Sequence, residues 1–92
     1  MIVRIPTEGQ FELDDQEAGE LNDFDNQLVA LVEQGDAAQF TSTLTTMLQY
    51  VRDRGDHVPD TELHPSSIVL PPADLDFEEA QALFKGQGLI PG

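Results

Sequence analysis

Ninety-two residues suffice for one domain, taken as residues 1–92, and a chain this size buries roughly 60–65% of its unfolded surface around a single modest core. Eighteen Asp and Glu stand against four Lys and Arg, a formal charge of −14, and there is no cysteine. Phosphates of nucleic acid and anionic lipid headgroups are repelled by such a surface, so direct DNA, RNA or membrane-surface binding is not expected, and disulfides and thiolate metal sites are excluded.

The acidity has two readings: solubility, in a high-salt cytoplasm if the host has one, or steering toward a basic patch on a protein partner. No apolar run approaches the roughly 20 residues of a membrane span. Met1-Ile2-Val3-Arg4-Ile5 is strand-like and lacks the pattern of a secretion signal, so the expected compartment is the cytoplasm.

Residues 2 to 13 read as a β-hairpin. Val3 and Ile5 alternate with polar or smaller neighbours, Pro6-Thr7-Glu8-Gly9 supplies turn chemistry, and Phe11 and Leu13 alternate on the return. An isolated hairpin is marginal in water, so this one must lie on helices. Asp14-Asp15 then offers N-cap oxygens, with Glu17 and Glu20 near the positive end of a helix dipole. Leu21, Phe24, Leu28, Leu31 and Val32 share a stripe about 100° wide, with Val29 at its edge, and Gly35 suits the end of this first helix. Gly19 weakens its first turns by roughly 1 kcal/mol relative to Ala, which predicts fraying or a late start.

Asp36 caps a second helix, with Gln39 at the capping-box position. Its apolar stripe is Phe40, Leu44, Met47, Leu48 and Val51. The threonines at 41, 43, 45 and 46 would individually suit a strand, but the apolar spacing is helical and places them mainly on the solvent side. Arg52 and Arg54 favour the dipole in the last turn, and Gly55 stops the helix. The junction Gln34-Gly35-Asp36 is so short that the two helices are expected to form an antiparallel hairpin.

Residues 55 to 73 read as a connection punctuated by Pro59, Pro65, Pro71 and Pro72, within which Ile68-Val69-Leu70 either packs on the core or adds a short strand. Asp74 or Asp76 caps a shorter third helix whose buried side is Phe77, Ala80, Leu83 and Phe84, with Gly86 as its stop. Leu89-Ile90-Pro91 is an apolar tail expected to tuck back. The predicted fold class is therefore mainly α: a three-helix domain, an antiparallel helical hairpin plus a shorter third helix, with an N-terminal β-hairpin. Residues 68 to 70 and 89 to 91 either cover the core within the chain or mediate a homodimer.

No catalytic or metal-binding constellation emerges. An EF-hand loop counted from Asp14 has Gly19 at its sixth position but Gln16, Ala18 and Asp25 where ligands are needed, and one counted from Asp74 ends on Lys85. His57 and His64 lack the two further ligands that zinc requires. Ser66 and Ser67 lack a strand-to-helix turn that presents a nucleophile, and Gly86-Gln87-Gly88 is too short for a dinucleotide loop. No cofactor, metal ligand or catalytic residue is assigned, and the chain is expected not to be an enzyme. Asp25 is unusual because it projects about 40° from Leu21, within the apolar stripe. A carboxylate there needs water past the edge or a partner, for which Arg52, Arg54 or a backbone N–H are the candidates.

Several segments together carry a resemblance. Met1 to Ile5 followed by Glu8-Gly9-Gln10-Phe11 and Asp14-Asp15 is similar to the start of the PspA-associated protein family, PspAA. So are Leu21-Asn22 with Asp25, Gly35-Asp36 with Phe40, and Val51-Arg52 with Gly55. Pro59-Asp60, Leu63, Pro65-Ser66, Ile68 to Pro72 and Gly88 to Gly92 complete the match across the chain. The departures are Pro6 and Thr7 in the turn and the threonine-rich second helix.

The resemblance implies a small three-helix domain of actinobacteria and archaea associated with PspA, the ESCRT-III-like coiled-coil protein of the phage-shock membrane-stress response. It implies an adaptor or regulator that reaches the membrane only through its partner, PspA or a related coiled-coil stress protein. It brings no catalytic residues. On the residues themselves, the candidate contact surface is the acidic outer side of the first helix, Glu20, Asp23 and Glu33, or the hairpin edge. The competing expectation is an acidic regulator that mimics nucleic-acid charge and blocks a DNA-binding protein.

Overall fold

The computed structural model describes residues 1–59 and 64–84. The chain opens with β1 (Ile2–Ile5) and β2 (Gly9–Glu12), antiparallel partners in the register Val3 opposite Phe11 and Ile5 opposite Gly9. Between them Glu8 N–H bonds the Ile5 carbonyl at 3.0 Å, with Pro6 at the second position of the turn and Thr7 at the third, where φ is +70°. The alternation works as the period of two requires: Val3, Ile5, Phe11 and Leu13 are buried, while Arg4 and Glu12 face solvent.

Helix α1 (Asp15–Gln34) begins directly after Asp14, where a complete capping box holds its first turn. Asp14 accepts from the Glu17 N–H at 2.8 Å, and the Glu17 carboxylate accepts from the Asp14 N–H at 3.0 Å. That reciprocal cap offsets the weakening by Gly19. Gly35 takes the left-handed conformation at the end of α1, and Asp36 at once caps α2 (Ala37–Arg54) by accepting from the Gln39 N–H. The two long helices make the most extensive helix contact among the described residues. Leu21 and Leu28 are buried from α1, and Phe40, Leu44, Met47, Leu48 and Val51 from α2. Phe24, Leu31 and Val32 are only partly buried against this core.

The connecting stretch carries two short strands, one at Ile68–Val69, where a short strand is one of the two expectations, and one at Asp56–His57, which was not expected. β3 (Asp56–His57) pairs antiparallel with β2, and β4 (Ile68–Val69) pairs parallel with β1, giving a four-stranded sheet in the order β3-β2-β1-β4. Both additions lie at sheet edges, where the prolines around them cost no ladder hydrogen bond. Beyond the ladder itself, flanking backbone bonds fasten them: Val58 N–H to Gln10 O, Ser67 N–H to Ile2 O and Leu70 N–H to Arg4 O, all 2.8–2.9 Å. Three helices hold 56% of the described residues beside this sheet, so "mainly α" fits only roughly.

Ile68 and Leu70 are spent in the chain's own core, and Val69 between them is half exposed. Helix α3 (Phe77–Leu83), capped by Asp76, ends at Phe84, which is buried. Phe40 joins α2 to this segment through edge-to-face contacts with Phe77 and Phe84, centroids 5.8 and 5.6 Å apart. Leu83, expected on the buried side, is instead exposed. The expected stop at Gly86 and the expected packing of Leu89 to Pro91 fall outside the described residues.

Candidate functional site

Four residues of α1, Glu20, Asp23, Phe24 and Gln27, recur at helical spacing and so share one face; on α2, Tyr50 and Arg54 do the same. These six line an open groove of about 320 Å³ where the early turns of α1 meet the last turns of α2. Phe24 and Tyr50 form its aromatic part, with ring centroids 5.6 Å apart and planes inclined by 54°. The Tyr50 hydroxyl donates a hydrogen bond to Glu20 Oε2, and the Arg54 guanidinium carbon sits 5.9 Å from the centre of the Tyr50 ring. Partial burial pushes the Tyr50 phenol up to about 12. The bond to Glu20 and the charges of Glu20 and Glu17 add to the rise, against the Arg54 cation.

Two of the three acids expected to form a contact surface, Glu20 and Asp23, come together here. Glu33 does not: it is exposed near the far end of α1, about 20 Å along the axis from Glu20. The residues that sequence reasoning missed are the aromatic ones and their cation. Phe24 reads as one more member of the core stripe. Tyr50 and Arg54, four apart on a helical face, were the legible signal that a ring and a guanidinium share a surface.

Among the described residues no group of three or more His, Cys, Asp or Glu gathers where a metal could sit. His57 lies edge-on to Phe11, centroids 5.2 Å apart, with its Nε2 3.3 Å from the Glu8 carbonyl oxygen. Ser66 and the His64 carbonyl both accept from the Gln10 side-chain amide at 2.7 Å, which fastens this segment to β2. Asp25 is buried at 1% exposure, and no buried side-chain nitrogen or oxygen among the described residues lacks a hydrogen-bond partner. The arginines proposed for it are engaged elsewhere: Arg52 holds Glu8, and Arg54 lies over Tyr50.

Chemically, the groove offers carboxylates and aromatic faces, the combination that attracts organic cations. No helix of the described residues is long and apolar enough to cross a membrane. Comparison with curated proteins and with solved structures finds no match. A family model described as PspA-Associated protein, PspAA, matches residues 1–92, and the chain belongs to that family.

Proposed function

We propose that this chain is a non-enzymatic protein-interaction module that binds PspA or a related coiled-coil protein and acts as an adaptor or regulator in the envelope, phage-shock stress response. The carrying observation is membership of the PspA-associated family along the whole chain. The surface supports it, since Glu20 and Asp23 border an open groove and the formal charge is −14. Such a surface draws a basic segment of a partner and repels nucleic acid and anionic lipid. In this reading the protein works in the cytoplasm and meets the membrane only through its partner.

The test is a pull-down of purified PspA at low and at moderate ionic strength, with charge reversal of Glu20, Asp23 and Glu33 together as the control. Binding that weakens with salt and is lost on reversal is expected. Recovery of no PspA at low salt, with both proteins folded, sinks the reading. Competition with DNA for a transcription factor would support the nucleic-acid mimic in its place.

A further inference from the structure

An aromatic face seats a guanidinium when the cation lies within about 6 Å of the ring centre. Arg54 meets that condition over Tyr50, so the protein's own chain shows what this groove accommodates. Arg54 nevertheless leaves the carboxylates beside it unneutralised: among the described residues it makes no ion pair with Glu20 or Asp23. The groove thus has a ring face already met by a guanidinium and two acids aligned on α1 that, among the described residues, form no ion pair. Its volume of about 320 Å³ has room for an arginine side chain.

We propose that this groove is the receptor for an arginine side chain projecting from a basic helix of the protein's partner, an inference that rests on the interaction-module reading. Arginine is favoured over lysine because a planar fork can stack on Phe24 or Tyr50 and still meet a carboxylate with paired N–H groups. The formal charge of −14 steers such a helix toward the surface from a distance. Asp23 is the primary anchor, since the Glu20 carboxylate already accepts the Tyr50 hydroxyl. Arg54 is a resident competitor that must lean aside when the incoming guanidinium enters.

The test uses the full chain and two probes. The first is an alanine-based helical peptide with one arginine per turn, titrated by NMR beside its lysine counterpart. The expected result is shifts concentrated on Phe24, Tyr50 and Asp23, with the lysine peptide weaker. Glu20→Gln with Asp23→Asn should weaken the arginine peptide about tenfold. Glu78→Gln with Glu79→Gln removes equal charge from α3 and should leave affinity nearly unchanged. Tyr50→Leu should weaken it about fivefold, and Arg54→Gln should tighten it.

Shifts spread evenly over the acidic surface, or equal losses for the two double variants, overturn the inference. The second probe is PspA. If PspA binds and the groove variants bind it as well as the wild type does, the groove is not the receptor although the interaction reading stands. If PspA does not bind while the arginine peptide still occupies the groove, the PspA reading fails and the receptor survives for another partner.

Discussion

Glu8, in the turn between β1 and β2, grips Arg52, in the last turn of α2, with both carboxylate oxygens: Nε to Oε1 at 2.7 Å and Nη2 to Oε2 at 2.6 Å. Forty-four residues separate them, so the pair ties the tip of the hairpin to the end of a helix formed much later in the chain. Each side chain is 34% exposed, and water screens the attraction. The two-pronged geometry keeps it near the upper end for surface pairs, about 0.5–1 kcal/mol.

That pair makes part of the stability acid-sensitive. The hydrogen bond from Arg52 holds the Glu8 carboxyl below its ordinary value of 4.5, with the guanidinium charge helping and partial burial opposing. A carboxylate whose folded pKa is depressed contributes stability that is present above the unfolded value and lost as pH falls through the folded one. Glu8→Gln should therefore be destabilising by about 0.5–1 kcal/mol near neutrality and nearly silent in strong acid. Arg52→Lys should lose most of the same increment, since an ammonium cannot reproduce the fork. Urea unfolding across the acid range measures both, and a Glu8→Gln deficit independent of pH would show that the pair is not its source.

Two glycines should respond to alanine in opposite directions. At Gly55 a Cβ would stand 2.7 Å from the Val51 carbonyl oxygen and 2.9 Å from the Phe11 Cβ, neither of which can yield cheaply. The backbone there has an ordinary φ of −76°, so the cost is steric: about 1–3 kcal/mol for Gly55→Ala. At Gly19, inside α1, the added methyl meets nothing within 4 Å, and Gly19→Ala should stabilise by about 0.5–1 kcal/mol. Urea midpoints moving the same way for both variants would contradict this picture.

The contrast between those glycines shows which features were legible in the sequence. Local ones were: the cap at Asp14, the stop at Gly35, the helical spacing from Phe40 to Val51 and the alternation of Val3 and Ile5 each follow from neighbours a few residues away. Gly55 reads correctly as a helix stop, but the close approach of Phe11 is a long-range contact. Asp56 and His57 form a strand only because β2 offers an edge, and two polar residues carry no periodicity to reveal it. The groove was half legible for the same reason. Glu20 and Asp23 stand out by charge on one helix, while Tyr50 joins them only when α1 and α2 pack.

The turn before β2 holds Thr7 at φ +70°, a region where a β-branched side chain is crowded. Pro6 ahead of it has the φ that the second turn position needs, so glycine or asparagine would be the natural follower. The left-handed conformation costs an L-residue about 1–2 kcal/mol, and glycine gives back about 0.5–1 through its freer unfolded state. Thr7→Gly should thus gain about 0.5–1 kcal/mol in urea unfolding. A loss would mean that the threonine side chain makes a compensating interaction.

Eighteen acids against four bases make the folded state repel itself. Compacting like charges is least favourable where they are poorly screened, and the screening length falls from about 30 Å at 0.01 M salt to about 10 Å at 0.1 M. Stability should accordingly rise with sodium chloride, by on the order of 1 kcal/mol and most steeply in that range. The Glu8–Arg52 pair weakens over the same range but is outnumbered by repulsions. Thermal midpoints that fall on adding salt would refute this balance.

Tyr50 is the only tyrosine, and there is no tryptophan, so the near-ultraviolet absorbance of tyrosinate reports the groove alone. Its midpoint should lie near 12, against an ordinary 10.0. A phenol whose folded pKa is raised contributes stability that is complete below the unfolded value and lost as pH climbs through the folded one. The protein should therefore begin to weaken above pH 10. Glu20→Gln takes away a charge and the carboxylate that accepts the hydroxyl, so the midpoint should fall, yet stay above 10.0 because partial burial is the largest cause. Arg54→Gln should move it the other way, since that cation favours the phenolate. Opposite shifts from two residues on different helices would place both charges at the same ring. A Tyr50 midpoint unmoved by either substitution would mean the groove does not form as described.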